Sequence, residues 1–563
     1  MSASAETCIG VQNTAMPFTL PDINEAIADT IPDREAIVTA TRRVTWRELQ
    51  LRTRRLGNLL SAAGLGCHRE RGTLAPWESG QDHLALYLYN GHEYLEGMVG
   101  AFRARVAPFN VNYRYVEDEL LHLLRDARTR AIVYHASFAP RLAHVLPQLA
   151  PMALLLQVED GSGQALLPGA RDYEGALAAS SDALPTIQPS EEDLYIIYTG
   201  GTTGMPKGVL WRQVDIFFAA LGGRVPGGDA VNSVGEIVAR VPYGDMMRML
   251  PAAPFMHNAG HWSAFITLHQ GGTVIVQGNT RHLDPDDIWR TVERERVFTL
   301  SIVGDAFARP LVDQLRSRHY DLSHLRVLGS GGAILSAPLK RALLELLPDI
   351  VIIDGFGASE TGAQGAAATA AGSEAPTTFR MDEHTVVLDD ALTRRLQAGE
   401  AETGWLARTG HVPLGYLGDE AKTRRTYRVI DGLRYSVPGD RAQITADGSI
   451  RILGRDSACI NTGGEKVFAE EVERALKHHP AVYDVLVTAT PSERWGEQVT
   501  AVVALRPGAT ASEEELREAA AAELARYKLP RAFVFVDAVH RTPTGKPDYR
   551  WAKETACSAV TKR

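Results

Sequence analysis

The sequence predicts an α/β protein that consists of a large N-terminal domain and a smaller α+β C-terminal domain. Short apolar strands alternate with helical stretches along most of the chain; residues 84–88, for example, are followed by a helical pattern over 93–102. Such alternation is typical of parallel sheets whose strands are connected by helices. After Arg455 the pattern changes to a compact group of helices and strands, a unit of about 100 residues that is large enough to form a domain.

The length, charge and cysteine content exclude several classes of protein. A chain of 563 residues is too long for one hydrophobic core, so two or three domains are expected. The formal net charge of -9 argues against a non-specific nucleic-acid binder, which needs a basic surface. The four cysteines are scattered without metal-ligand spacing, which favours a reducing cytoplasm over a disulfide framework.

The N-terminus and the apolar runs give no sign of membrane targeting. Residues 1–16 lack the basic and apolar segments of a signal peptide. No apolar run approaches the roughly 18 residues that a membrane-spanning helix needs. We therefore expect a cytoplasmic protein whose contact with membranes is at most peripheral.

Capping residues predict where several helices begin. Asp22 is a candidate cap for the first helix, and Thr45 with Glu48 has the spacing of a capping box. Ser512 with Glu515 has the same spacing and predicts a helix over residues 512–527.

Two segments are predicted to be irregular. Residues 222–245 are rich in Gly, Val and Pro and have weak periodicity, which favours a surface insertion. Residues 362–372 are mostly Ala and Gly, which favours a loop of small residues beneath a ligand or lid.

The most informative stretch is residues 198–208, YTGGTTGMPKG, directly after an apolar strand over 194–198. Its glycines let backbone N–H groups approach an anion, its threonines add hydroxyl donors, and Lys207 adds a mobile charge. It differs from a Walker P-loop because Pro206 precedes the lysine and Gly208 follows it; Pro206 also disfavours a helix through the loop. We predict a phosphate-holding loop, with a plain Gly/Thr surface loop as the alternative.

A second motif, GFGASETG at residues 355–362, follows a predicted strand over 350–354. Phe356 offers a stacking face for a base, Ser359 a hydroxyl for a phosphate, and Glu360 a carboxylate for Mg²⁺. A strand-to-loop turn that ends in Ser-Glu is common in proteins. This motif therefore indicates a nucleotide site only in combination with the predicted phosphate loop.

Two charged residues near the end of the chain complete the candidate set. Asp440 follows a glycine turn and can accept both hydroxyls of a ribose, although an isolated aspartate here would be a simple turn residue. Lys546 ends a Gly/Pro-stiffened loop, RTPTGK. A cation there can offset the charge that develops when a phosphoryl group is attacked, whereas a lone C-terminal lysine is usually only solvated.

Three weaker features are compatible with ligand binding. Residues 461–467, NTGGEKV, contain two glycines that permit close backbone approach, with a plain interdomain turn as the alternative. His257 lies in an apolar segment, where a histidine is more often a core or rim residue than an acid–base catalyst. Residues 329–333, GSGGA, are small enough to leave room for a ligand.

Together these motifs resemble, in order and essentially end to end, those of the adenylate-forming superfamily. That superfamily includes acyl-CoA synthetases, nonribosomal-peptide adenylation domains and firefly luciferase. The resemblance implies a multi-subdomain large domain with parallel sheets and a β-barrel-like part over residues 1–454, a hinge at 455–457 and a mobile lid domain over 458–563. It also implies ATP, Mg²⁺ and coenzyme A, small-molecule substrates that include a carboxylic acid, no nucleic-acid partner, and a homodimer.

The resemblance also implies roles for individual residues. The implied catalytic residues are Lys546, Glu360, Thr203 and Lys207, with Glu360 as the metal ligand. The implied ATP or AMP contacts are Thr199, Gly200, Gly201, Thr202, Thr203, Gly204, Lys207, Gly332, Phe356, Gly357, Ser359, Glu360, Asp440, Arg455 and Lys546. The pantetheine arm of CoA is implied to pass Gly463, Gly464, Glu465 and Lys466, and the acyl pocket to include His257, Asn258 and Gly331.

The sequence departs from the family pattern at four places. Phe356 stands where tyrosine is usual, and Pro438 precedes Gly439 where threonine is usual. Ser457 occupies a hinge position that often holds Asp or Lys, and Arg105 falls where glycine is usual in the most similar ligases.

Within the family, the runs at residues 110–117, 205–212, 460–467 and 545–551 most resemble actinobacterial fatty-acid and steroid side-chain CoA ligases. The sequence therefore predicts an AMP-forming acyl-CoA synthetase for a long-chain or steroid-derived acid. The alternatives are a medium-chain or aryl-acid CoA ligase, an acyl-AMP ligase that loads a carrier protein, a luciferase-like oxygenase, and a lipid-responsive binding protein on an inactive scaffold. The last should have lost Lys207, Glu360, Asp440 or Lys546, and all four are present.

Overall fold

The structure is a computed structural model that describes residues 18–201, 204–224, 228–241, 247–374, 376–400, 402–462, 465–492, 494–542 and 545–560. Its helices are α1 (Leu20–Thr30), α2 (Trp46–Ala62), α3 (His92–Arg103), α4 (Glu117–Asp126), α5 (Ala139–Val145), α6 (Tyr173–Ala178), α7 (Gln213–Ala220), α8 (Val234–Arg240), α9 (Asn258–His269), α10 (Pro285–Arg294), α11 (Gly304–Ser317), α12 (Ala337–Leu346), α13 (Glu420–Thr426), α14 (Ala469–Leu476), α15 (Glu513–Ala521) and α16 (Tyr549–Val560).

The strands are β1 (Glu35–Val38), β2 (Arg43–Thr45), β3 (His83–Tyr87), β4 (Ala107–Asn110), β5 (Thr129–His135), β6 (Leu154–Val158), β7 (Ala170–Asp172), β8 (Leu194–Gly201), β9 (Gly204–Arg212), β10 (Arg248–Pro251), β11 (Thr273–Ile275), β12 (Thr299–Ile302), β13 (Val327–Ser330), β14 (Val351–Ala358), β15 (Gly362–Ala370), β16 (Arg380–Met381), β17 (Thr385–Leu388), β18 (Gly404–Arg408), β19 (Gly415–Tyr416), β20 (Tyr427–Ile430), β21 (Leu433–Ser436), β22 (Asp440–Ile444), β23 (Ile450–Arg455), β24 (Cys459–Thr462), β25 (Glu465–Phe468), β26 (Val482–Ser492), β27 (Gly496–Leu505) and β28 (Ala532–Phe535).

Two large mixed sheets form most of the N-terminal part. One has nine strands in the order β16-β15-β14-β13-β12-β10-β11-β1-β2, and the strands from β14 to β1 are parallel. The other has eight strands in the order β19-β9-β8-β4-β3-β5-β6-β7, and those from β8 to β7 are parallel. The predicted α/β class with parallel sheets is confirmed.

Apolar residues on both faces of these strands explain why the sheets are covered by helices on each side. Along β3, Leu84 and Leu86 belong to a core that also includes residues of α1, α2, α3, α7 and α9, while Ala85 and Tyr87 belong to a second core with α4 and α5. Successive side chains of a strand point to opposite faces, so an uninterrupted apolar run predicts this double burial.

A third sheet and a fourth follow in the chain. The third is antiparallel, with the order β20-β21-β18-β22-β23 and β17 beside β18. The barrel-like part stays a prediction. The fourth, β25-β24-β27-β26 with β28 beside β27, packs with α14, α15 and α16 around its own core. The smaller C-terminal unit is thus confirmed, and the proposed hinge before it stays a prediction.

Two predictions about helix ends need correction. The cap of α1 is Thr19, whose hydroxyl accepts from the Asp22 backbone N–H, so Asp22 lies inside the helix. Thr45 caps α2 as predicted, but the Glu48 carboxylate accepts from Arg42 instead of closing a capping box.

The predicted capping box of Ser512 and Glu515 is confirmed at the start of α15. The helix itself ends at Ala521, not at 527, because the chain turns and continues as a 3-10 turn over Arg526–Lys528.

Both segments predicted to be irregular contain regular structure. Gly362–Ala370 is strand β15, antiparallel to β14, so the loop prediction was wrong. Gly365 has no room for a side chain, because a Cβ there would lie 2.4 Å from the Arg380 carbonyl oxygen of β16 and 2.5 Å from Phe356 Cε1 of β14. Within 222–245, α8 buries Val234 and Ile237; residues 225–227 and 242–246 lie outside the described residues.

Candidate active site

The candidate site lies at the carboxyl ends of parallel strands. Gly331 and Gly332 follow β13, Ser359 follows β14, and His257 follows the turn after β10. In open α/β sheets, ligands bind in the crevice outside these strand ends. The structure therefore gathers motifs that are far apart in the chain.

The predicted phosphate loop is the tip of the β8–β9 hairpin. Thr199 pairs with Lys207 and Gly201 with Gly204 across the two strands, so the described residues of this stretch are extended and not helical, as predicted. Lys207 Nζ lies 3.6 Å from Asp419 Oδ2, with about a third of the side chain exposed (32%). Thr202 and Thr203 lie outside the described residues.

Ser359 and Glu360 connect this hairpin to two other segments. The Asn258 amide donates to Ser359 Oγ (3.1 Å), and the Trp211 indole N–H donates to the Ser359 carbonyl (2.9 Å). The Tyr416 hydroxyl donates to Glu360 Oε1 (2.9 Å), and Ser436 Oγ donates to the Glu360 carbonyl (2.6 Å). The predicted phosphate, acyl and metal residues thus share one hydrogen-bonded region.

Phe356 and Gly357 lie on β14 and not in the loop that the sequence suggested. The Phe356 ring is half-buried and packs edge-on against Phe379, with centroids 4.9 Å apart. Gly357 sits at a bulge where a Cβ would lie 2.1 Å from the Gly362 carbonyl oxygen, so only glycine fits. The stacking of adenine on Phe356 remains a prediction.

Asp440 and Arg455 face each other across β22 and β23. They are cross-strand partners, and Arg455 Nε lies 3.3 Å from Asp440 Oδ1. Burial raises the pKa of Asp440, and the Arg455 guanidinium offsets part of that rise. Gly439 before Asp440 has a φ of 108°, a conformation that favours glycine.

Lys546 belongs to the C-terminal unit but lies among the charged groups of the large part. Its side chain is partly in contact with solvent, yet enough protein surrounds it that burial lowers its pKa. The charge of Arg455 lowers that pKa further, and the charges of Glu360 and Asp440 act in the opposite direction. Residues separated by nearly 200 positions therefore meet around one cationic side chain.

His257 and the small residues of the predicted acyl pocket lie beside the charged groups around Lys546. The Nε2 atom of His257 is buried and has no hydrogen-bond partner within the described ranges. Burial, followed by the Lys546 and Arg114 charges, lowers the pKa of His257 to about 3. A Cβ at Gly332 would meet nothing closer than Ala259 Cβ and Val303 Cγ1, both at 3.8 Å, so room for a ligand exists there.

The described part of the strip predicted to line the CoA channel lies on strand β25. Glu465 and Lys466 are exposed on β25, and Lys466 Nζ lies 4.0 Å from Asp456 Oδ1. Gly463 and Gly464 lie outside the described residues, so the role of this strip remains a prediction.

Sequence reasoning missed several residues that the fold brings to the site. Tyr416 holds Glu360, and Lys422 Nζ lies 4.0 Å above the Tyr416 ring. Burial lowers the pKa of Lys422, and the charge of Glu360 opposes that effect. No local motif marks these residues, which lie more than 50 positions after Glu360.

The described part of the chain holds no cluster of three or more His, Cys, Asp or Glu residues that could bind a metal ion. Mg²⁺ usually binds through one or two carboxylates plus substrate phosphates, and Glu360, with one oxygen held by Tyr416, fits that requirement. Over the same described ranges, no helix has the length and apolar character to cross a membrane.

Comparison with solved structures defines the class of fold. The crystal structure of the anthranilate CoA ligase AuaEII in complex with anthranoyl-AMP matches with a TM-score of 0.81 at 22% identity, covering 97% of this chain and 99% of that one. The ATP-bound MatB from Rhodopseudomonas palustris matches with a TM-score of 0.77 at 24% identity, covering 94% of this chain and 98% of that one. At these identities the likeness establishes the fold.

Sequence comparison establishes the family. A family model described as AMP-binding enzyme matches residues 24–416, and one described as AMP-binding enzyme C-terminal domain matches 471–546. Medium-chain acyl-CoA ligase Mig from Mycobacterium avium is 50% identical, covering 97% of this chain and 100% of that protein. A 3-oxocholest-4-en-26-oate–CoA ligase from Rhodococcus rhodochrous is 40% identical, covering 96% of each. The chain belongs to the AMP-binding enzyme family.

Proposed function

We propose that the chain is an AMP-forming acyl-CoA synthetase that activates a hydrophobic carboxylic acid with ATP and transfers the acyl group to coenzyme A. The observation that carries this proposal is the position of Lys546 within the electrostatic reach of Glu360, Asp440 and Arg455. A site with this set of charges can hold a nucleotide and stabilise negative charge on its phosphates. The full-length likeness to proteins named as acyl-CoA ligases supports the same assignment.

In the first half-reaction, the substrate carboxylate attacks the α-phosphorus of ATP and pyrophosphate leaves, giving acyl-AMP. Asp440 would accept the ribose hydroxyls, Ser359 would donate to the α-phosphate, and Lys207 with the β8–β9 hairpin would hold the leaving phosphates. Lys546 would offset the charge that develops at the α-phosphate. Mg²⁺ held by Glu360 would supply further charge neutralisation on the phosphates.

The neutral state of His257 defines what that residue can contribute. A histidine whose pKa is near 3 carries no charge near neutral pH, so His257 would line the acyl side of the site and not act as a cation. Together with Asn258, Gly331 and Gly332 it would form the wall between the carboxylate and the nucleotide.

In the second half-reaction, the CoA thiol displaces AMP from acyl-AMP. We propose that the C-terminal unit rotates about residues 455–457 between the steps, withdrawing Lys546 and bringing Gly463 to Lys466 to the pantetheine arm. The two conformations would then complement two different transition states. A cytoplasmic location, a homodimer and peripheral membrane contact are part of the same proposal.

The acyl group is proposed by class. The relative at 50% identity is named as a medium-chain ligase, and a relative at 40% identity is named for a steroid side-chain acid. Both substrates are apolar acids, so the proposal covers medium-chain, long-chain and steroid-derived acids. The higher identity favours medium-chain acids as the first group to assay.

The test is pyrophosphate release from ATP·Mg²⁺ across a panel of medium-chain, long-chain, steroid-derived and aryl carboxylic acids, each with and without CoA. Acid-dependent release, with acyl-CoA and AMP formed only when CoA is present, is expected. Release without a thioester product would assign the chain instead as an acyl-AMP ligase for a carrier protein. Absence of release with every acid, together with tight ATP binding, would favour an inactive binding scaffold.

A further inference from the structure

The C-terminal unit is joined to the large part by a buried ion pair. Lys477 Nζ lies 3.0 Å from Asp305 Oδ2, and the two side chains are only 7% and 4% exposed. Lys477 directly follows α14 of the C-terminal unit, whereas Asp305 lies in the first turn of α11 in the large part. Each group loses its main charge partner if the two units separate.

Asp305 is held rigidly by its own unit. The Ser336 backbone N–H donates to Asp305 Oδ1 (2.7 Å), and the Asp305 backbone N–H donates to the Ile334 carbonyl (3.0 Å). Its second carboxylate oxygen is therefore presented to Lys477 in a fixed position.

On the other side, Lys477 is linked to the loop that carries Lys546. Lys477 Nζ lies 3.8 Å from Asp484 Oδ1, and Asp484 accepts two hydrogen bonds from Arg541, from Nε at 2.6 Å and Nη2 at 2.7 Å. Arg541 begins the loop, and the Thr542 backbone N–H closes it by donating to the Lys546 carbonyl (2.9 Å). A continuous set of charged contacts thus runs from Asp305 to the base of the Lys546 loop.

Two further contacts lie beside this pair. A Cβ at Gly545, whose φ is 77°, would lie 2.9 Å from Ala306 Cβ, so the loop rests directly on α11. The Arg309 guanidinium lies 4.3 Å from the centre of the Tyr483 ring. The first turns of α11 therefore form part of the surface that the C-terminal unit contacts.

We propose that Asp305 and Lys477 are positioning residues that form an interdomain latch, which favours the orientation with Lys546 in the active site. This inference rests on the proposed function, because it assigns the latch to the adenylate-forming step. The pair joins the two units in the orientation that the structure describes, so removing it should shift the population toward other orientations. Adenylation should slow, whereas thioester formation, for which Lys546 must withdraw, should not.

The experiment compares Asp305→Asn, Lys477→Met and the double variant in separate half-reactions. Acyl-AMP formation is measured by pyrophosphate exchange, and thioester formation is measured from supplied acyl-AMP and CoA. Both single variants should lose about 10-fold in acyl-AMP formation, within the range typical of coupling between sites, and keep or increase the thioester rate. The double variant should be no slower than the singles, because each change already breaks the same contact.

The matched control is Lys528→Met, which removes an ion pair with Glu471 (2.6 Å) that lies wholly within the C-terminal unit. It should leave both half-reactions unchanged. The latch is overturned if the Asp305 and Lys477 variants lower both half-reactions equally, leave both unchanged, or add their losses in the double variant.

A conformational measurement separates failure of the latch from failure of the proposed function. Energy transfer is recorded between dyes at Leu184→Cys and Tyr527→Cys, both exposed positions in the two units, in a chain whose four natural cysteines are replaced by serine. If the wild-type chain makes no acyl-AMP with any acid, the proposed function fails. The latch still predicts that Asp305→Asn, but not Lys528→Met, alters the transfer efficiency, and an unaltered efficiency overturns it.

Discussion

Lys546 offers the most direct test at the scale of single residues. Replacing it with alanine should lower acyl-AMP formation by roughly 10²–10³-fold, the effect of losing one transition-state contact. Thioester formation from supplied acyl-AMP should be spared, because Lys546 is proposed to leave the site before that step. Single-turnover assays of both half-reactions measure this, with Lys553→Ala on the exposed face of α16 as the control. Equal loss in both half-reactions would remove Lys546 from the first step.

Glu470 gives a prediction about stability and pH. Its Oε2 atom is buried without a hydrogen-bond partner in the described residues, and burial, with the nearby Glu473, raises the pKa of Glu470 to about 8. The folded state therefore keeps a proton that the unfolded state releases above its ordinary pKa of 4.5. The protonated Glu470 side chain therefore adds its full contribution to the free energy of unfolding below pH 4.5. That contribution is lost as the pH rises toward 8.

Glu470→Gln should remove the loss of stability at high pH, because glutamine does not ionise. Its free energy of unfolding should match that of the wild type near pH 4.5 and exceed it by roughly 1–3 kcal/mol at pH 9, given that one pKa unit corresponds to about 1.4 kcal/mol. Urea unfolding at the two pH values measures the difference, with Glu518→Gln at an exposed position of α15 as the control. An equal difference at both pH values would contradict the assigned cause.

The sequence predicted the site residues that lie in a short local motif and missed those that do not. Lys207, Glu360, Asp440 and Lys546 each stand in a short run of turn residues that the sequence displays openly. Tyr416, which hydrogen-bonds Glu360, is brought to the site by pairing of β19 with β9. No pattern around Tyr416 indicates that pairing, because long-range strand order is decided by packing and not by local composition.

At the scale of elements, the end of α3 explains how a non-glycine residue replaces the glycine usual in similar ligases. Arg105 follows the helix with a φ of 54°, the left-handed conformation typical of glycine at this position. Its guanidinium bonds to Asp193 at 2.9–3.0 Å and to Glu70 at 2.8 Å. The Asp193 side chain is only 2% exposed, so losing the guanidinium would leave a buried carboxylate without its cation.

Arg105→Gly and Arg105→Ala should separate the effect of the ion pair with Asp193 from the effect of backbone strain. Both should be less stable than the wild type, because both leave Asp193 without its guanidinium partner. The alanine variant should be the less stable of the two by about 1 kcal/mol, because it keeps the left-handed strain that glycine relieves. Urea unfolding of the three proteins in one buffer measures this order. An alanine variant as stable as the glycine variant would show that the conformation is not strained.

Among the elements, long apolar strands were the most predictable and strand β15 the least. Strands such as β3 and β5 read as continuous apolar runs because both faces of their sheet are buried. The Ala/Gly run of β15 has weak intrinsic strand preference. It becomes a strand because it pairs with β14 from Gly362 to Ala370, and the missing side chain of Gly365 leaves room for the Phe356 ring.

At the scale of the whole molecule, the separate cores predict how a ligand should act on unfolding. The C-terminal unit has a core distinct from those of the two large sheets, so heating should give more than one transition. ATP with Mg²⁺ at 100 times its Kd should stabilise the folded state by about 2.7 kcal/mol. Calorimetry should show the shift in the wild type and a much smaller one in Asp440→Ala at the same ATP concentration. Equal shifts would place the ribose elsewhere.

The contact between Glu470 and Gly454 has a consequence for proton balance. Gly454, with a φ of 127°, lies just before the proposed hinge, and a Cβ there would sit 1.6 Å from Glu470 Oε2, so the carboxyl group is pressed against the pivot. Rotation of the C-terminal unit would expose this group to water and let it ionise near neutral pH. Each turnover would then release a proton when the unit swings out and take one up when it returns. In weakly buffered solution, an indicator dye should report that pulse in the wild type and not in Glu470→Gln.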